Sequence, residues 1–106
     1  MIEITVFTKK DDFIGIESKG HAGYSEHGSD IICSAVSALM INTVNAVEAF
    51  TDDKFTCNQR EGYLEFHLSK SISQSSELLM KTLVMGITDI QDNYGNEYIK
   101  LEFKEV

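Results

Sequence analysis

Gly20–Phe50 reads GHAGYSEHGSDIICSAVSALMINTVNAVEAF, and its three parts set the fold. A polar turn carries His21, a loop holds Gly23 and Gly28, and a helix is expected from about Asp30 to Phe50. In that helix Ile32, Val36, Leu39, Thr43, Val47 and Phe50 recur at three- and four-residue steps, the period of one helical face. Ile31, Ala35, Ala38, Met40, Ile41 and Val44 cover much of the remainder. A helix apolar nearly all round is buried on more than one side. One side is expected against a sheet, and the other leaves room for a second subunit.

Both flanks of this helix carry strand patterns. Residues 2–9 alternate Ile2, Ile4 and Val6 against Glu3, Thr5 and Lys9, with Phe7 breaking the alternation. A turn at Asp11-Asp12 leads to a second strand over 13–19, which makes a hairpin. After the helix, Phe55–Asn58 and Tyr63–Ser69 form a second hairpin around Arg60-Glu61-Gly62. A second helix fits 75–93, capped by Ser73, Ser75 or Ser76, with Leu79, Leu83, Gly86 and Ile90 as its seam. Residues 98–104 make the last strand, with Ile99, Leu101 and Phe103 inward. The order ββαββαβ predicts an α+β fold: a largely antiparallel or mixed five-stranded sheet with two helices. The chain has 106 residues, enough for a single domain spanning 1–106.

Composition narrows the function classes. The net charge is −8, from 17 acidic and 9 basic residues, and the basic residues cluster no further than Lys9-Lys10. Direct nucleic-acid binding needs a basic patch to neutralise phosphate, so none is expected. An acidic surface favours a basic partner, or simply keeps the chain soluble. No apolar run long enough to cross a bilayer is read, and no signal peptide opens the chain, so a cytoplasmic protein without membrane contact is expected. Cys33 and Cys57 do not make a disulfide framework.

The chemistry centres on Cys33 and His21. Cys33 falls three residues after Asp30 and four after Ser29, either of which can cap the helix. That puts the thiol in the first turn, where free N–H groups and the helix dipole favour negative charge. The dipole is worth at most about 2 kcal/mol, so an imidazolium is needed to complete ionisation. His21 is the natural partner, across a loop short enough to fold back. Taken singly, Cys33 also reads as a buried structural cysteine and His21 as a solvated turn residue. Asp30 either orients the imidazole or caps the helix, and Ser37, one turn after Cys33, shares its face. His27 competes for the base role from a loop that holds geometry poorly. His67 is expected on a solvent-exposed strand face, and Cys57 is expected to be inert. His21, His27, Asp30 and Cys33 match no zinc-ligand spacing, so neither a metal nor a cofactor is expected.

Gly20-His21-Ala22 and Gly28-Ser29-Asp30-Ile31-Ile32-Cys33-Ser34-Ala35-Val36-Ser37 together resemble the signature of the bacterial ribosomal-processing cysteine protease Prp family. Ser34 stands where that family often has alanine, and Asn45-Ala46 in the first helix is also similar. The resemblance covers the whole chain. It implies an endopeptidase that removes the short N-terminal extension of large-subunit ribosomal protein twenty-seven, cutting after a Phe-Phe pair in an apolar segment. It implies Cys33 as nucleophile and His21 as general base, with Asp30, Ser37 and Gly20 in support. It also implies a homodimer and a mobile loop closing over the peptide, here Ala22, Gly23, Tyr24, Ser25, Glu26, His27, Gly28 and Ser29. The alternative is a non-catalytic ribosome-assembly or interaction module with an acidic face, and a weaker one is a redox-sensing thiol at Cys33.

Overall fold

The computed structural model describes residues 1–20, 27–69, 71–94 and 97–106; of residues 27–30 it describes the backbone alone. Its elements follow the expected order: β1 (Ile2–Lys9), β2 (Asp12–Lys19), α1 (His27–Phe50), β3 (Phe55–Arg60), β4 (Tyr63–Leu68), α2 (Gln74–Tyr94) and β5 (Ile99–Glu105). The strands form one sheet in the order β3-β4-β2-β1-β5. β1 pairs antiparallel with β2 and parallel with β5, so the sheet is mixed.

The first hairpin turns one residue earlier than Asp11-Asp12. Lys10 and Asp11 both take positive φ, 51° and 72°, and β2 begins at Asp12. Two positive-φ residues match the right-handed twist of the strands they join. The register shifts between Phe7, opposite Gly15, and Thr8, opposite Phe13, leaving Ile14 as the extra residue of a bulge. Phe7 keeps its place on the helix-free face and packs on His67 from β4, ring centroids 5.0 Å apart. Gly15, between them, makes the approach possible: a Cβ there would meet His67 Nδ1 at 2.5 Å. His67 is thus half-buried rather than solvent-exposed.

The core lies between the sheet and both helices. Ile2, Ile4, Val6, Ile16, Leu64, Phe66 and Ile99 from alternate strand positions join Ile32, Val36, Met40 and Val47 of α1 and Met80, Leu83, Val84 and Ile87 of α2. The buried face of α1 therefore runs through Met40. Leu39 only flanks it, and Phe50 is 78% exposed, against expectation. Phe50 is the last residue of the helix. On α2 the buried seam is Ser76, Met80, Leu83, Val84 and Ile87; Leu83 lies in it as expected, while Leu79 and Ile90 only flank it. Gly86 brings the helices together, since a Cβ there would stand 3.0 Å from Leu39 Cδ1. Phe103 near the end of β5 is 55% exposed, not inward.

Ser73 caps α2, its Oγ accepting the Ser76 N–H at 3.2 Å. Asp53 accepts both the Ser73 N–H (2.9 Å) and the Ser73 hydroxyl (2.8 Å), tying the α1–β3 link to this cap.

One expectation is corrected outright. Ile31–Phe50 is 20 residues long with mean hydropathy 1.5, so by length and composition a segment able to cross a bilayer is present. The apolar excess has a local origin: this helix carries one apolar face into the core and a second, with Ile31 and Ile41, at the surface.

Candidate active site

The decisive residues lie at one end of the sheet. α1 begins at His27, three residues before the expected start. Helix propagation adds one hydrogen bond per residue, and nothing at Gly28, Ser29 or Asp30 forbids it as proline would. Three corrections follow. His27, Gly28 and Ser29 are helical in backbone, not loop. Ser29 and Asp30 lie inside the helix rather than capping it. Cys33 sits in the second turn, beyond the free N–H groups of the first, and the dipole contribution falls off over that distance.

Cys33 is half-buried, with its apolar side against the core. Ser37 follows one turn later and is exposed. Both open into a cleft of about 380 Å³ between α1, the end of β2 and the β3–β4 hairpin. Its wall on α1 continues through Met40 and Ile41; the opposite wall is Ser18, Gly20, Gln59, Arg60, Glu61, Gly62, Tyr63 and Leu64. The apolar surface of Met40, Ile41 and Leu64 faces a polar rim of Gln59, Arg60 and Glu61.

Gly20 is pinned in this cleft. Its φ is +91°, a conformation that L side chains rarely adopt, and a Cβ would meet the Met1 carbonyl oxygen at 2.6 Å. Its N–H donates to the Gly62 carbonyl at 3.0 Å, closing the β3–β4 turn onto the end of β2. Gly62 itself has φ 71°. The residue that follows Gly20 in the chain is His21. His21 and Ala22, Gly23, Tyr24, Ser25 and Glu26 lie outside the described residues, as do the side chains of His27, Ser29 and Asp30.

The hairpin wall is electrostatically stiff. Arg60 lies over the Tyr63 ring, its guanidinium carbon 4.1 Å from the centroid. The Tyr63 hydroxyl stands 2.8 Å from Glu65 and 3.0 Å from Glu17. Its hydrogen bond to Glu65, with desolvation and the Glu17 charge, pushes the phenol up to about 12. The same bond holds the Glu65 carboxyl below its ordinary value, helped by His67. Cys57 is on β3, exposed, and does not line the cleft; partial desolvation pushes its thiol up. Among the described residues no group of three His, Cys, Asp or Glu side chains is placed to hold a metal.

Of the expected site residues, the structure brings Cys33, Ser37 and Gly20 to one cleft. Sequence reasoning missed the whole hairpin wall. Arg60-Glu61-Gly62 was legible as a turn, but its approach to Gly20 is a contact 42 positions away in the chain, outside any local pattern.

Comparison with known proteins places this arrangement. The ribosomal processing cysteine protease Prp of Staphylococcus aureus (strain Mu50) is 31% identical over 87 residues, 80% of this chain and 81% of that protein. The protein of the same name from Bacillus subtilis (strain 168) is 28% identical over 101 residues, 89% of this chain and 90% of the relative. A crystal structure of the S. aureus protease with a covalently linked product peptide superposes with a TM-score of 0.86 at 25% identity, covering 98% of this chain and all of that one. Residues 1–100 match the family model described as cysteine protease Prp, and the chain belongs to that family of cysteine proteases.

Proposed function

We propose that this chain is the endopeptidase that removes the N-terminal extension of large-subunit ribosomal protein twenty-seven, cutting after a Phe-Phe pair. The observation that carries the reading is the placement of Cys33 and Ser37 on one wall of an accessible cleft, with Gly20, the residue before His21, on the other. In this reading His21 takes the Cys33 proton, and the thiolate attacks the scissile carbonyl. The imidazolium then protonates the leaving amine, and water releases the tail from the thioester with His21 again as base. Asp30 orients His21, and Ser37 hydrogen-bonds within the cleft. The segment Ala22–Ser29 covers the peptide; its last three residues would do so as the opening of α1. The apolar wall of Met40, Ile41 and Leu64 suits an apolar tail, and the acidic chain suits a basic ribosomal protein.

The same reading makes the protein a cytoplasmic homodimer, with no direct hold on nucleic acid or membrane and no cofactor. The supporting feature for the dimer is the apolar surface of α1 outside the cleft, where Ile31 is 53% exposed.

The test is cleavage of the precursor by the wild type, Cys33→Ala and His21→Ala, followed by mass spectrometry. Each substitution is expected to reduce turnover by at least about 10³-fold while leaving the fold intact. Retained cleavage by Cys33→Ala would end the proposal. Binding of the precursor by the wild type without turnover would instead favour an assembly module.

A further inference from the structure

We infer that the open edge of β3 receives the substrate backbone as an additional strand leading into the cleft at Cys33. This rests on the protease reading above and names how the peptide is held. β3 is one of the two edge strands, and it ends at the cleft, which Gln59 and Arg60 line. Its register against β4 runs unbroken from Phe55 to Arg60.

The two edges of the sheet are built differently. Edge strands that must stay unpaired carry charges, proline or bulges. β5, IKLEFKE, has Lys100, Glu102, Lys104 and Glu105 among seven residues. β3, FTCNQR, has Arg60 alone among six, no proline and no bulge. Five of those six residues are exposed. Among the described residues, the edge without a run of charges is thus the one that ends at the cleft lined by Cys33.

The pairing parity fixes which groups are free. The Ser69 N–H donates to the Lys54 carbonyl at 2.9 Å, and Arg60 is opposite Tyr63 across a two-residue turn. Hydrogen-bonded pairs alternate along an antiparallel ladder. Lys54, Thr56, Asn58 and Arg60 therefore turn their backbone groups toward β4, and Phe55, Cys57 and Gln59 turn theirs outward. An extended peptide running into the cleft meets those outward donors and acceptors at every second residue, the pattern by which peptides add to sheet edges.

The experiment is titration calorimetry on the Cys33→Ala chain with a synthetic peptide spanning the Phe-Phe tail and its junction. The same peptide is then N-methylated at one residue at a time. Methylation at alternate positions is expected to weaken binding about three- to tenfold, with no effect at positions between. Effects that are uniform or absent, or no binding of the parent peptide, overturn the inference. On the protein side, Cys57→Pro removes one outward N–H and leaves the β4 ladder intact, as edge prolines do. It should weaken binding to a similar extent, while Cys57→Ser leaves it unchanged. Equal affinity for both variants overturns the inference, as does a Cys57→Pro variant that alters sedimentation but not peptide affinity, which would make the edge a contact between copies. Should Cys57→Pro fail to fold, the methylation series decides alone. Failure of wild-type cleavage would sink the protease reading separately, because binding is measured on the Cys33→Ala chain.

Discussion

Cys33 and Cys57 carry the same thiol in different settings, and the difference is measurable. Desolvation raises the Cys57 thiol, while in the proposed reading His21 takes the Cys33 proton. At about pH 6.5, iodoacetamide should therefore label Cys33 faster than Cys57, read by mass spectrometry; equal rates would contradict activation of Cys33 by His21. Gly20 supports a second expectation at this scale. Gly20→Ala forces a side chain into φ +91° and against the Met1 carbonyl. It should cost at least about 1–2 kcal/mol in urea unfolding and depress turnover, since it displaces the residue next to His21. Cys33, Ser37 and Gly20 were legible because they fall in one short signature. Gly62 was not, because its role is a hydrogen bond between turns far apart in sequence.

At the scale of elements, periodicity located all seven, matched β1 in bounds and face and β4 in face, and misjudged the start of α1 and part of each helix face. The start of α1 was read from Ser29 and Asp30 as capping residues, yet an intrinsic preference for caps yields to continued backbone hydrogen bonding. The parallel pairing of β1 with β5 was left open, since the pairing partners stand 97 positions apart. Gly15 is the residue on which the β1-β2-β4 crossing depends. Gly15→Ala should destabilise the chain by about 1–3 kcal/mol through overpacking against His67, and less so in a His67→Ala background. Partial retention of the cost is expected even there, because the Phe66 carbonyl oxygen is also 3.1 Å from the added Cβ. For α1, Ala38→Glu places a charge on the exposed apolar surface that carries Ile31. Sedimentation should show a shift from dimer to monomer with the helical signal preserved; an unchanged sedimentation coefficient would remove that face from the proposed interface.

Over the whole molecule, Asp53 links the end of α1 to the start of α2, and that link is acid-sensitive. The neighbouring Ser76 hydroxyl, the Ser73 N–H and the Ser73 hydroxyl hold the Asp53 carboxyl below its ordinary value against some desolvation. A depressed folded-state pKa stabilises the fold fully above the ordinary carboxylate range, and the gain is lost as pH falls through the lowered value. Asp53→Asn should therefore be less stable than the wild type at about pH 6, with the gap closing toward about pH 3 in urea titrations. A gap independent of pH would assign the effect to packing. Composition alone fixed the acidic balance but not this coupling, which depends on two loops meeting. The parallel β1–β5 pair also sorts the chain's extremities. Met1 abuts Gly20 at the cleft, whereas the Val106 N–H donates to Thr8 at the opposite rim. A tag or fusion partner joined ahead of Met1 would emerge beside Gly20, at the rim of the cleft that Cys33 lines; one joined after Val106 would trail from the far side of the sheet.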